Sequence, residues 1–255
     1  VKLMDILVFS KIRKIFGGNL QFFVGGGALL DTELQRYYCT LGIPMLQGYG
    51  LSEASPVISS NCPQRYRFGS SGQVVKPLEL KICDETGTEV KKGEKGEIVI
   101  RGKNVMKGYW KNEKSTAGTI RDGWLYTGDM AMQDEDGFYF LVDRKKDVIV
   151  SGGENIYPVQ IEDFMRRHDK IKDVAVIGLP DRRLGEKTAA IIEVKDGMSC
   201  TEEEIEEFCM ELPRYKRPKE IIFSEIPRNA TGKIEKPKLR KMYGADRLVA
   251  QENQA

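Results

Sequence analysis

Residues 20–50 read LQFFVGGGALLDTELQRYYCTLGIPMLQGYG, and their apolar rhythm decides the fold class. Leu20 to Val24, apolar except at Gln21 and of strand length, reads as a buried strand. Gly25, Gly26 and Gly27 turn the chain, and Asp31 or Thr32 supplies a helix cap. Leu34, Tyr37, Tyr38 and Leu41 then recur at helical spacing until Gly42 stops the helix. Ile43 to Leu46 reads as a second short strand. Strand, covering helix and strand in succession is the rhythm of an α/β layer with a parallel sheet.

Downstream the pattern changes twice. From Gly69 to Val142 the strands are broken by glycine-containing turns: Leu78 to Cys83, the Asp84 to Gly87 turn, Ile98 to Ile100, and Phe138 to Val142 after Asp136-Gly137. This portion is expected to be antiparallel β, with one short helix over Glu113 to Thr119. After Asp143 a small α+β unit is expected. Pro158 stands at a first helical position ahead of Ile161, Phe164, Met165 and His168. Thr201 with Glu204 spells a capping box ahead of Ile205, Phe208, Cys209 and Leu212. Strands at Val174 to Leu179, Ala189 to Val194 and Glu220 to Phe223 would give these helices a sheet to cover. The predicted organisation is an α/β piece plus antiparallel β over residues 1–142, then a smaller α+β domain over 143–255. A tight hinge falls near Asp143 and Arg144.

Composition narrows the functions. The 255 residues carry 40 Lys plus Arg against 38 Asp plus Glu, a net charge of +2, so no overall field favours nucleic acid or an anionic membrane. His168 is the sole histidine, which rules out a His-rich metal site and argues against a His-based triad. The five cysteines, Cys39, Cys62, Cys83, Cys200 and Cys209, lack CxxC spacing and read as reduced thiols of a cytoplasmic protein. The longest apolar runs are strand-sized, far short of the roughly 20 residues of a spanning helix. The chain opens on Val1 rather than Met, and is expected to be part of something longer.

Four segments carry chemistry. Gly48-Tyr49-Gly50-Leu51-Ser52-Glu53 would set an aromatic face, a hydroxyl and a carboxylate on a tight loop after a strand, where ligands gather in open α/β sheets. Tyr126-Thr127-Gly128-Asp129 offers a carboxylate able to accept from two ribose hydroxyls. Asp143-Arg144-Lys145-Lys146-Asp147 is a charge cluster followed by Ser151-Gly152-Gly153-Glu154-Asn155. Pro227-Arg228-Asn229-Ala230-Thr231-Gly232-Lys233 presents a lysine on a glycine-preceded loop. None of the glycine clusters matches a dinucleotide fingerprint: Leu30 and Glu53 stand where the last glycine belongs. Pro227 and Ile234 exclude a Walker A loop at the fourth segment. Each cluster alone is an ordinary turn, Lys233 alone a solvated lysine, and His168 a packing residue.

In this order, over roughly residues 20 to 242, the four segments resemble the adenylate-forming enzymes. That family includes acyl-CoA synthetases, aryl-CoA ligases, luciferases and the adenylation domains of peptide synthetases. Lys103 to Trp110 and Gly152 to Pro158 look most like the fatty acyl-CoA synthetases. The resemblance implies two half-reactions: a carboxylate attacks the ATP α-phosphate to give acyl-AMP and pyrophosphate, and the CoA thiol then displaces AMP. It places Tyr49 against adenine, Ser52, where the family more often has Thr, on the α-phosphate, and Glu53 on Mg²⁺. Gly48, Gly50 and Lys146 also fall to nucleotide binding. Asp129, with Arg144, would take the ribose hydroxyls, and Gly26, Gly27 and Ala28 would line the nucleotide and acyl pocket. Lys233 would bridge the carboxylate and the α-phosphate. Rotation of the small domain would withdraw Lys233 and bring Gly152-Gly153 towards the pantetheine channel.

The family's Ser/Thr/Gly-rich phosphate loop lies upstream of the glycine triplet, and no such segment occurs here. The chain is therefore expected to be the distal part of the large domain plus the complete small domain, unable to form acyl-AMP alone. Its expected partners are a fatty acid, ATP and CoA, the N-terminal half of the same chain, and a second copy through apolar surface left uncovered. Contact with a membrane surface through a long-tailed product is compatible with this reading. The alternatives are an adenylating enzyme for an aryl or amino acid, and a noncatalytic module that senses AMP or acyl-AMP.

Overall fold

Asp31 starts a helix, its Oδ1 accepting from the Leu34 N–H at 2.7 Å. Satisfying one donor that a helix start leaves open is worth about 1 kcal/mol. The computed structural model describes residues 4–230 and 232–252, with side chains up to 244; Thr231 of the lysine segment lies outside the described residues. The chain divides into two units, Val1–Val142 and Asp143–Ala255.

In the first unit a π-helical turn, Asp5–Phe9, runs into α1 (Ser10–Ile15). Strand β1 (Phe23–Gly25), helix α2 (Thr32–Thr40) and strand β2 (Met45–Gly50) follow, and β1 pairs parallel with β2 from Phe23↔Met45 to Gly25↔Gln47. Strands β3 (Val57–Ser60) and β4 (Gln73–Val74) extend this sheet antiparallel, in the order β1-β2-β3-β4. Two expectations are corrected here. The first strand begins at Phe23 rather than Leu20 and is not buried: β1 is a sheet edge, and Val24 is 70% exposed. The apolar stripe of α2 is buried only in part: Leu41 is 4% exposed and Tyr38 half-buried, but Leu34 and Tyr37 are 41% and 56% exposed while Gln35 is 2% exposed. Gln35 is tolerated inside because it is hydrogen-bonded, its Nε2 donating to Leu30 O at 3.2 Å and its Oε1 accepting from Gly69 N at 3.1 Å.

The rest of this unit is the antiparallel sheet that glycine turns predict. Its strands are β5 (Glu79–Cys83), β6 (Lys95–Arg101), β7 (Ile120–Arg121), β8 (Trp124–Gln133) and β9 (Tyr139–Arg144), ordered β5-β6-β8-β7 with β9 on β8. Helix α3 (Glu113–Thr119) has the predicted span, started by Asn112 Oδ1 accepting from Ser115 N at 3.0 Å. Strand β6 is central and buried on both faces between Lys95 and Arg101. Ile98 and Ile100 pack with Ile82, Leu125, Ala131 and Tyr139, with Tyr49 and Ile58 of the first sheet, and with Ala54 of the turn between β2 and β3.

In the second unit, β10 (Ile149–Ser151), β11 (Glu154–Ile156), β12 (Ile171–Asp181), β13 (Gly185–Val194) and β14 (Glu220–Phe223) form one sheet, ordered β11-β10-β13-β12 with β14 parallel to β13. The long β12–β13 hairpin has two apolar faces, because successive side chains point to opposite sides. Val174, Val176, Ala190 and Ile192 meet α4 (Pro158–Met165) and α5 (Glu202–Phe208) through Ile161, Met165 and Ile205. Ala175, Ile177, Leu179, Ala189 and Ile191 meet Leu239 of α6 (Lys236–Glu252) and Ile226. Proline stands at the start of α4, and the Thr201–Glu204 capping box of α5 is complete. His168 lies past the end of α4 and packs edge-on against Phe208, centroids 4.9 Å apart. No helix among the described residues is long and apolar enough to cross a membrane.

Candidate functional site

In the first unit the site grows from the end of β2. Gly48, Tyr49 and Gly50 are the last residues of the strand, not a loop after it. A Cβ at Gly50 would lie 2.1 Å from Pro56 O, so only glycine lets the chain fold back there, with Leu51 N donating to Pro56 O at 2.9 Å. The 3₁₀ turn Ser52–Ala54 follows and closes on Ser55 at φ 56°, in the left-handed region. Ser52 is exposed and Glu53 half-buried on this turn.

Tyr49 and Asp129, remote in sequence, are brought together: the Tyr49 hydroxyl donates to Asp129 Oδ2 at 2.7 Å, while its ring, 8% exposed, packs in the core. Asp129 reaches that position through an excursion of β8. Glu97 pairs with Met130 and Val99 with Tyr126, so Thr127, Gly128 and Asp129 stand opposite Ile98 alone. Gly128 takes φ 73° there, its N–H donating to Glu97 Oε1 at 3.0 Å, and the Thr127 hydroxyl donates to Ile98 O at 2.8 Å.

Glu53 is held by the segment preceding α3. The Tyr109 hydroxyl donates to Glu53 Oε1 at 2.9 Å, Met106 N donates to Glu53 O at 2.8 Å, and Asn104 Nδ2 donates to Ala54 O at 2.8 Å. Burial first, then the carboxylate of Glu53, pushes the Tyr109 hydroxyl above its ordinary pKa, which keeps it a donor. The glycine loop is tied to β2 by Gln47: its Oε1 accepts from Leu30 N at 3.1 Å and its Nε2 donates to Ala28 O at 3.4 Å. Gly26 runs close enough that a Cβ there would touch Gly48 O at 3.8 Å. Tyr109 and Gln47 were missed as site residues in the sequence, although a glutamine inside the apolar stretch Met45-Leu46-Gln47 signals a buried polar anchor.

The other predicted residues belong to the second unit. Arg144 and Lys146 are exposed, flanked by buried Asp143 and Asp147. Asp143 accepts from Arg144 N at 2.8 Å and from Val159 N at 2.9 Å, so it caps α4 from across the chain. Burial pushes its carboxyl above the usual range, opposed by the ammonium of Lys236. Asp147 accepts from Arg240 at 2.7 Å. Gly152 and Gly153 form the two-residue turn between β10 and β11 with φ 60° and 87°, which Ser151↔Glu154 closes. Lys233 sits on a hairpin closed by the Arg228↔Ile234 bridge: Asn229 N donates to Lys233 O, and Lys233 N to Asn229 Oδ1, both at 2.9 Å. Its side chain is exposed.

No group of three or more His, Cys, Asp or Glu side chains able to hold a metal occurs among the described residues. Glu53, oriented by Tyr109 on a half-open turn, suits the single carboxylate that Mg²⁺ takes when phosphates and water complete its octahedron.

A family model described as AMP-binding enzyme matches residues 3–110, and one described as AMP-binding enzyme C-terminal domain matches residues 160–233. A long-chain-fatty-acid–CoA ligase of Bacillus subtilis (strain 168) is 41% identical over 226 residues, covering 87% of this chain and 40% of its own. A feruloyl-CoA synthase of an Amycolatopsis species is 38% identical over 230 residues, covering 89% and 47%. Among solved structures, o-succinylbenzoate–CoA synthetase of Bacillus subtilis, in complex with ATP and a magnesium ion, matches with a TM-score of 0.78 at 32% identity, covering 86% of this chain and 46% of its own. The chain spans less than half the length of each of these proteins.

Proposed function

We infer, for a chain that belongs to the adenylate-forming superfamily of acyl-CoA and aryl-CoA ligases, that it is the distal part of an ATP-dependent, AMP-forming acid–thiol ligase. A carboxylate oxygen attacks the ATP α-phosphorus and pyrophosphate leaves; the CoA thiolate then attacks the acyl carbonyl and AMP leaves. The observation that carries this reading is the Tyr49–Asp129 hydrogen bond beside the Ser52–Glu53 turn, which puts a ring, a fixed carboxylate, a hydroxyl and a second carboxylate on one unit.

In this reading Asp129 and Arg144 take the ribose hydroxyls, Tyr49, its ring mostly covered by the core, packs against adenine by what remains exposed, Ser52 meets the α-phosphate, and Glu53 would hold the Mg²⁺ that accompanies ATP. Gly26, Gly27, Ala28, Gly48 and Gly50 let the backbone approach the nucleotide, and Lys146 adds positive charge. Lys233 offsets the charge that grows as the acyl-phosphate bond forms, and Gly152-Gly153 serves CoA. Asp143 is the hinge between the steps. The apolar Ile6, Ile15 and Val24, exposed on the first unit, are the surface an upstream portion would cover, with self-association when that portion is absent. A cytoplasmic enzyme with peripheral membrane contact agrees with such a product.

The carboxylate is a fatty acid on the strength of Lys103 to Trp110 and Gly152 to Pro158. An aromatic acid is the second reading, favoured by the likeness to feruloyl-CoA and o-succinylbenzoate–CoA synthetases. Carboxylate-dependent ATP–pyrophosphate exchange separates them. The complete ligase carrying this sequence should exchange with long-chain fatty acids; preference for ferulate or succinylbenzoate supports the aryl reading. AMP binding without exchange for any carboxylate would leave a nucleotide-sensing module. The 255-residue chain by itself should give no exchange, and robust exchange would refute that part.

A further inference from the structure

Arg228, Lys233 and Lys236 place three cations on one hairpin and the helix start that follows it. Two of them are neutralised within the second unit. Lys236 Nζ lies 2.7 Å from Glu162 Oε1, the two side chains being only 11% and 5% exposed, and the same oxygen accepts from Val176 N at 2.7 Å. Arg228 pairs with Asp173 through Nη2, while its Nη1 donates to the carbonyl of Gly232 at 2.6 Å. Arg166 stands between the two carboxylates, Nε 3.4 Å from Asp173 Oδ1 and Nη2 3.8 Å from Glu162 Oε2. Helix α4 and strand β12 thus carry a chain of alternating charge, Lys236–Glu162–Arg166–Asp173–Arg228, whose ends grip the two stems of the hairpin. Lys233, one residue inside the Arg228↔Ile234 bridge and opposite Asn229, makes no ion pair among the described residues.

We propose that Arg228 and Lys236 are positioning residues for Lys233. The carbonyl that Arg228 holds belongs to the peptide joining Gly232 to Lys233. The N–H of the same peptide donates to Asn229 Oδ1 at 2.9 Å, so Asn229 and Arg228 hold the plane from its two sides next to Gly232, whose φ is 81°. Fixing that peptide plane fixes the direction in which the Lys233 side chain leaves the backbone. An exposed ion pair by itself contributes little; the Lys236–Glu162 pair is different because it is nearly buried, and losing one partner strands the other. Neutralising both flanking cations also removes repulsion that would push the Lys233 ammonium aside. The proposal rests on Lys233 acting in adenylation.

The experiment measures two quantities on one set of variants. Arg228→Lys keeps the charge opposite Asp173 but lacks the planar fork that reaches a second acceptor. The pair Glu162→Gln with Lys236→Met removes both charges of the ion pair together, but it also takes from buried Asp143 the ammonium that opposes its burial, so Arg228→Lys, which leaves Asp143 untouched, is the deciding variant. In the 255-residue chain, ¹⁵N-resolved amide exchange at Gly232 and Lys233 should rise about tenfold in each, with exchange in β12 and β13 unchanged. In the complete ligase, kcat for pyrophosphate exchange should fall about 10- to 100-fold with the ATP KM unmoved, and Lys236→Arg should retain the parent rate. Unaltered loop exchange, or an unaltered kcat with a loosened loop, overturns the proposal while leaving Lys233→Ala inactive. Full activity in Lys233→Ala overturns the underlying reading, and the proposal with it.

Discussion

Gly50 shows how much one missing side chain decides. The added methyl of Gly50→Ala would sit 2.1 Å from Pro56 O, a backbone atom that cannot step aside alone. We expect a loss of about 2 kcal/mol or more, read from the urea midpoint, because the strand must reopen. Ser52 and Glu53 move with it, so nucleotide affinity should drop alongside stability; an unchanged midpoint would contradict the close approach seen here. Asp129 is a case of the opposite kind, a residue whose type announced a binding group while its surroundings stayed hidden. Nothing local in Gly128-Asp129 tells that the carboxylate meets Tyr49 at 2.7 Å. That contact depends on two strands of different sheets, and on a core that no single stretch encodes.

Helix α5 starts where its residues say it should, although it ends at Phe208, with Cys209 in a 3₁₀ turn and Leu212 extended beyond it. Thr201 Oγ1 accepts from Glu204 N at 3.3 Å and Glu204 Oε2 accepts from Thr201 N at 3.1 Å. Thr201→Ala should lower stability by about 1 kcal/mol in urea denaturation. The same box is sensitive to acid. Hydrogen bonds from Lys170, then from the Thr201 N–H, hold the Glu204 carboxyl at about 2 against an ordinary 4.5. Its folded pKa is below the unfolded one, so its stabilisation is complete above about pH 4.5 and disappears as pH falls towards 2. Glu204→Gln should flatten the pH dependence of the melting temperature in that window; an undiminished acid slope would count against the pair. Elements with local signals of this sort, α3, α5, β5 and β14, were legible from the residues. Strand β8 was not, because the excursion at Thr127 to Asp129 breaks its alternation. Helix α2 misled in part, because its buried face includes Gln35, whose partners Leu30 and Gly69 are set by tertiary structure.

Among the described residues each unit has buried clusters of its own. One lies in the first unit around Ile98 and Leu125, and two lie in the second on either side of the β12–β13 hairpin. Residues 143–255 expressed alone should therefore unfold in urea as one cooperative transition, with native dispersion of amide signals; a gradual loss of structure would show that they depend on the rest. What the residues could not disclose at this scale was that both sides of one hairpin are covered, since a doubly apolar strand has no period to read. That hairpin has a cost in folding. Where one side of a strand is polar, slipping by a residue exposes the greasy side and is punished; here a slipped pairing would still present apolar groups to both layers. Fidelity is left to the two ends, the Asp181 carboxylate that gathers the Arg183 and Leu184 N–H groups at 3.0 and 2.9 Å, and the irregular step between Ile171 and Asp173. A lesion at either end would let the chain settle into wrong alignments that look nearly as comfortable as the right one.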